Sequence, residues 1–299
     1  MRLWPFRKGA KQESPLTLNK NFYLSILAGP GPLPPMLQVV NPDGSNGAVA
    51  GFGAPLSEGV SKDMLNQPLL VGSYAITTKN RDTVLLFDLF ELAQVPHFRL
   101  PEDPKSLAEA GLVGEKLALA KGAQYLMTLT FKGYSPELFP SVRFFLDVAS
   151  RIAELSNGVI ADPLAEVYRD PKEFRLPGRL DPRLDFREIG SIKAVALSDG
   201  LWISTRGLAK FNLPEFEMFG IPMDLRDGAA RMLIAAAQQT LLGLPMKAGE
   251  TAFAPGTPLY IVVGSKKSDE WGDRPVLEFT DEDGRGAAKG VRAWVDLGN

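Results

Sequence analysis

From Ala194 to Pro222 the chain reads AVALSDGLWISTRGLAKFNLPEFEMFGIP, and this stretch restricts the fold more tightly than any other. Two short apolar runs flank Asp199-Gly200. An Asp-Gly pair between such runs is a hairpin signal, because both residues tolerate the positive φ that primed turns demand. The spacing predicts a hairpin over 191–205, with a primed turn and positive φ at Asp199 and Gly200. The second strand runs out into Thr205-Arg206-Gly207. A hydroxyl and a guanidinium beside a glycine at a strand end can hold an anion or a carboxylate. Downstream, Phe216 and Met218 alternate with Glu215 and Glu217, which predicts a half-buried strand.

The rest of the chain alternates strand and helix signals. Strands are expected at 22–28, 36–41, 69–78, 123–132, 159–161, 259–264, 275–280 and 290–296, with a turn at Asn41-Pro42-Asp43-Gly44. Helices are expected at 83–95 behind an Asp82 cap, at 107–121 with interruptions at Gly111 and Gly114, at 139–156, and at 225–242 behind Asp224. In the third of these, Phe145, Val148, Ala149, Ile152 and Leu155 fall on one face and should pack against a sheet. Asn157-Gly158 is its stop.

Residues 168–188 differ in texture. Pro171, Pro177 and Pro182 forbid a long helix. Arg169, Lys172, Arg175, Arg179, Arg183 and Arg187 are interleaved with Asp170, Glu173, Asp181, Asp185 and Glu188. Nucleic-acid grooves keep an uncompensated positive stripe, so this pattern reads instead as a solvated, ion-paired arm that packs on its own domain or a partner.

These signals predict an α+β fold. Its sheet is mixed and largely antiparallel, its helices pack on one face, and the chain reads as two related αβ units. The units are placed at 17–115 and 116–299, after a frayed segment over 1–16. Length supports two units of ordinary size, since the chain has 299 residues of which 45% are apolar.

Composition excludes several chemistries. The chain has no cysteine, which removes disulfides, thiolate nucleophiles and Cys-type zinc sites. That absence, with sparse Asn and Gln, fits a cytoplasmic protein and a thermophilic source. A formal net charge of −2 gives no long-range field to draw the chain to nucleic acid. No apolar run reaches transmembrane length.

His97 is the single histidine and sits in a loop-like Pro-His-Phe context, so a Ser-His-Asp triad has one candidate base at most. Asp281-Glu282-Asp283-Gly284 resembles a calcium loop but lacks its acidic spacing, and reads as a charged hairpin tip. Gly29-Pro-Gly and Gly51-Phe-Gly are Gly-x-Gly fragments. Prolines remove amide donors from the first, and neither opens a helix with a third glycine. No metal and no cofactor is expected.

The remaining candidates are Thr205, Arg206, Lys210, Glu215 and Glu217, with Asp162 and Glu166 if the sheet brings them near. A strand-end arginine of this kind is expected to pair internally, with Glu215 or Asp162 as partner.

Three segments are similar to a bacterial domain of unknown function. They are 146–168 with its helix and NGVIADP, the hairpin into STRGLAKFNLPEFEMFGIP, and the Ala-rich helix that follows, covering roughly 120–260. The resemblance implies a soluble α+β domain of bacterial origin and carries no catalytic residues. On these grounds the chain is expected to be a non-enzymatic intracellular binding or interaction protein. Its partner would be a protein or a small anionic ligand, with self-association left open and with neither nucleic-acid binding nor a membrane span. The alternative is a hydrolase or transferase that uses carboxylates and Arg206 on a small anionic substrate.

Overall fold

The computed structural model describes residues 16–40, 66–78, 80–176, 178, 181, 183–252, 259–264 and 268–298. These form two compact units. The first is Lys20–Leu184, and the second is Asp185–Asn299 with the residues that lead up to Asn19.

In the first unit the order is β1 (Tyr23–Ala28), α1 (Met36–Val40), β2 (Gly72–Thr77), β3 (Val84–Glu91), α2 (Pro104–Glu109), α3 (Gly114–Lys121), β4 (Tyr125–Gly133), α4 (Leu138–Leu155), β5 (Val159–Asp162) and β6 (Val167–Arg169). Its sheet runs β2-β3-β4-β1-β5-β6, antiparallel throughout. Strand alternation divides the core. Leu24 and Ile26 are buried on one face of β1. Leu27 points the other way, into a cluster with Leu107, Leu112, Ala120 and Val159.

The face predicted for α4 is largely real. Phe145 and Ile152 are fully buried, and Leu155 is half-buried. Phe145 stacks on Phe131 with centroids 4.5 Å apart and tilts against Phe22 at 5.1 Å. The helix stops where expected, because Asn157 takes a left-handed φ of 48°.

Four expectations for this unit need correction. Residues 36–40 are helical, not a strand. The stretch expected as a helix over 83–95 is instead β3, in which Leu85, Phe87 and Leu89 are buried and their neighbours are not. An apolar run of that length fits both periods, and pairing with β2 and β4 decides it. Asp82 caps no helix; it accepts from Thr78 Oγ1 (2.7 Å) and Asn80 Nδ2 (2.6 Å) and closes the β2–β3 turn. The join placed at 115/116 falls inside α3, between the paired strands β3 and β4. The charged arm packs on its own unit, as one alternative had it, but is solvated only in part. Much of it is built into the fold: Arg169 is buried beside Asp162, and Pro171 and Phe174 are buried in a 3-10 turn boxed by Asp170 and Glu173. Its ion pairing does hold at Arg183 with Asp181 (3.0 Å) and Arg187 with Asp185 (2.6 Å). The Asn41–Gly44 turn, the Gly51-Phe-Gly fragment and Arg179 lie outside the described residues.

The second unit runs α5 (Phe186–Ile189), β7 (Ser191–Leu197), β8 (Gly200–Arg206), β9 (Glu215–Ile221), α6 (Arg226–Leu241), β10 (Thr251–Ala252), β11 (Leu259–Val263), α7 (Ser268–Trp271), β12 (Val276–Thr280) and α8 (Ala288–Asp296). The sheet order is β10-β11-β12-β9-β8-β7. Among the described strands only β12 and β9 pair in parallel. Residues 17–19, expected in the first unit, dock here instead: Asn19 donates its amide to Lys210 O at 2.7 Å, and Asn212 Nδ2 reaches Thr17 Oγ1 at 3.0 Å.

The predicted hairpin exists, but its turn is shifted by one residue. Leu197 pairs with Gly200, so the loop is Ser198-Asp199, and of these residues only Gly200 has a positive φ, at 130°. The turn is therefore not a primed one with Asp199 left-handed. Glycine is required at 200 for a second reason: a Cβ there would meet the Gly220 backbone at 3.0 Å. Likewise β9 is not half-buried; every residue but Gly220 is buried, because the strand is central and both its faces are covered. Residues 290–296 form α8 rather than a strand. Asp281 sets it, accepting from the amides of Lys289 (3.0 Å) and Gly290 (2.8 Å) at the helix start. The acidic loop is thus a strand-to-helix connection. Asp224 does not cap α6 and instead meets Arg292 at 3.4 Å.

Candidate functional site

The candidate residues of the second unit converge on the sheet around β8 and β9. Trp202, Ser204 and Arg206 share one face of β8 by alternation. Ser204 lies opposite Glu217 of β9, and Glu217 lies opposite Glu278 of β12, so Glu217 and Glu278 join that face. Trp271 is supplied by α7 and completes the group.

Arg206 is fully buried. Its guanidinium carbon lies 3.8 Å from the Trp271 ring centroid and 5.3 Å from that of Trp202. Nη1 donates to Ser204 Oγ (2.8 Å) and to the Thr205 carbonyl (3.0 Å). The two indoles meet edge to face at 5.9 Å. Both then donate to one carboxylate oxygen, Glu217 Oε2, from Trp202 Nε1 at 3.0 Å and Trp271 Nε1 at 2.9 Å. Glu217 Oε1 is buried with no hydrogen-bond partner among the described residues. It sits in the space left by Gly264, whose Cβ would come within 2.5 Å of it.

Glu215 occupies the end of the same strand. Oε1 accepts from the amides of Gly207 (2.7 Å) and Ala209 (3.1 Å), and Oε2 accepts from Thr205 Oγ1 (2.7 Å). Thr205 Oγ1 accepts in turn from the Phe216 amide at 2.8 Å. Gly207 permits this turn: its φ is 120°, and a Cβ would press on Ile189 O at 2.6 Å. Lys210, also buried, donates to Ile189 O.

Burial sets the electrostatics. It pushes the Glu215 carboxyl above the usual range, opposed in turn by the Thr205 hydroxyl, the Ala209 and Gly207 amides and the Arg206 charge. Burial raises Glu217 as well. The Trp271 and Trp202 donors oppose it, Glu278 adds to it, and Arg206 opposes it.

Of the expected residues, Thr205, Arg206, Lys210 and Glu215 come together. Asp162 does not join them. It belongs to the first unit, where it faces Arg169 Nε at 3.5 Å and accepts from the Ala165 amide. The carboxylate of Glu215 is engaged by Thr205 and two amides, so the expected bidentate Arg206–Glu215 pair is replaced by aromatic stacking and a longer-range attraction. Glu217, expected in the same constellation, also joins the Arg206 group; sequence reasoning missed Trp202, Trp271 and Glu278. The period-two spacing of Trp202, Ser204 and Arg206 was a signal for the first; nothing local marks Trp271, which arrives from a distant turn.

His97 is exposed in a turn. Among the described residues no three side chains converge as metal ligands, and no helix is long and apolar enough to cross a membrane. A shallow hollow of about 310 Å³ on α8 is lined by Ala288, Lys289, Arg292, Ala293 and Asp296. The chain matches no protein-family model, no curated protein and no solved structure.

Proposed function

We propose that this protein is a non-enzymatic binding or interaction module, and that the Arg206 group is part of its scaffold rather than a reaction centre. The burial of that group carries the reading. Thr205, Arg206, Glu215 and Glu217 are each 0% exposed and Lys210 is 1% exposed. A general acid or base must come within hydrogen-bond reach of a substrate proton. These groups instead reach one another: the carboxylate of Glu215 is filled by the hairpin's own amides and hydroxyl, and Arg206 is covered by an indole. Recognition is left to outer surfaces.

The test is calorimetric titration of the full chain with phosphate and with a small dicarboxylate. The expected result is no saturable heat, in wild type and in Arg206→Lys alike. Saturable binding that Arg206→Lys weakens while leaving the melting temperature in place would favour the anionic-substrate reading instead.

A further inference from the structure

We propose that β7 is the association edge of this protein, and that its partner is β7 of a second copy, paired antiparallel about a two-fold axis through Ala194. This rests on the reading of the chain as an interaction module and supplies its partner.

Sheet edges are templates for further strands, and proteins usually blunt them. Of the edges among the described residues, β6 is blunted by length, at 3 residues, and β10 shows 2. The β2 edge is GSYAIT, with Gly72 at a positive φ, Ser73 beside it and Thr77 at the other end. The β7 edge is different. It has 7 residues, SIKAVAL, without proline, glycine or register shift.

The direction of its backbone groups follows from the hairpin. The ladder closes on Leu197 and Gly200 around a two-residue loop, so that pair must exchange hydrogen bonds. Alternation then turns Ser191, Lys193, Val195 and Leu197 toward β8, and turns the amides and carbonyls of Ile192, Ala194 and Ala196 outward. Those three residues make no other backbone hydrogen bond among the described residues.

A second copy satisfies them with a register that avoids charge repulsion. With Ala194 facing its own counterpart, Ile192 faces Ala196, and each of these pairs exchanges two backbone hydrogen bonds. Lys193, the one charged residue of the strand, then faces Val195 and not another Lys193. A lysine can also guard an edge, but this one is drawn to Glu270 of α7, with Nζ 3.8 Å from Oε2. Side chains fit the same picture: Ile192, Val195 and Leu197 are half-buried, and Val195 and Leu197 pack on the Trp202 cluster. Among the described residues the strand is thus paired on one side only.

Sedimentation equilibrium of the full chain tests this. Wild type should show a concentration-dependent monomer–dimer equilibrium. Ala194→Pro removes an outward amide and no bond to β8, a position where an edge strand accepts proline. It should be monomeric at every concentration, with an unchanged far-UV CD spectrum. Ala196→Lys, at an exposed position, should do the same and decides the matter if the proline variant does not fold. In concentrated wild type the amides of 192, 194 and 196 should exchange more slowly than in dilute samples. A wild type that stays monomeric, or a dimer that survives both substitutions in folded protein, overturns the proposal. Anion binding at Arg206 would overturn the scaffold reading alone and leave this association result standing.

Discussion

Among the described residues the two units each have a six-stranded sheet, and they fill these sheets differently. In the first unit the layer between sheet and α4 is aromatic and aliphatic: Phe22, Phe131 and Phe145 stack, and Tyr74 lies on Phe87 with centroids 4.7 Å apart. A buried ion pair, Arg169 with Asp162, sits on the last two strands of the same sheet, with the guanidinium 5.7 Å from the Phe174 ring centroid. The second unit packs apolar residues of β8 and β9 under α6 but places Arg206, Glu215, Glu217 and Glu278 among its buried residues. An apolar core stabilises through area and tolerates small shifts. A polar core stabilises only when each group finds its partner, so it fixes strand register and registers pH. The meander-plus-hairpin layout is shared, yet β4 meets β1 antiparallel while β12 meets β9 in parallel. In the second unit that parallel contact is what brings Glu278 beside Glu217.

This contrast can be broken by mutation, and the units can be followed separately. The chain has 4 tryptophans, at positions 4, 202, 271 and 294, so residues 20–184 contain none and indole fluorescence reports outside the first unit. The largest loss is expected for Arg206→Ala, roughly 3–5 kcal/mol in the fluorescence-detected denaturation, because the buried carboxylates lose their cation and the indoles lose their stack. Arg206→Lys should recover only part of it, since an ammonium does not stack as a guanidinium does. No loss in Arg206→Ala would mean that the polar group is not a scaffold.

Ile152→Ala should cost about 2–5 kcal/mol, seen by hydrogen exchange in the first unit while the indole signal keeps its midpoint. A change below about 0.5 kcal/mol would place that face of α4 outside the core. Gly200→Val comes next, at about 1–3 kcal/mol, from forcing a branched residue to positive φ beside Gly220. A melt equal to wild type would contradict the close approach at that turn.

Much of the fold was legible from local pattern. The α4 face, the Asn157-Gly158 stop and the 191–206 hairpin are short-range effects, and sequence spacing carries them. The misread elements are those decided by distant chain. VLLFDLFE is a strand because β2 and β4 flank it, and 290–296 is a helix because Asp281 meets its first amides. The polar group was half legible. Thr205, Arg206, Lys210 and Glu215 lie within one hairpin and its exit, so the sequence shows them together. Glu217 was grouped with Arg206 but placed on a half-buried strand, because alternation with Met218 tells which residues share a face but not what covers it. Trp271 covers part of that face, and it comes from a four-residue helix far along the chain.

The smallest effect bears most directly on the central claim that Glu217 belongs to a closed, dry scaffold. Its carboxyl is raised in the folded state, so folding favours the protonated form. The stabilisation is fully present below the unfolded value near 4.3 and is lost as pH rises through the folded value. Glu215 acts in the same sense. Exposed Asp82, Asp103 and Asp283, whose values are depressed, act oppositely and only toward acid. The decisive measurement is the denaturation free energy of the second unit, followed by indole fluorescence from pH 4 upward, in wild type and in Glu217→Gln. A neutral amide mimics the protonated acid, so wild type should lose stability relative to Glu217→Gln as pH rises, and the variant's curve should be flatter. Two parallel curves, or a wild type that gains on the variant with rising pH, would contradict it.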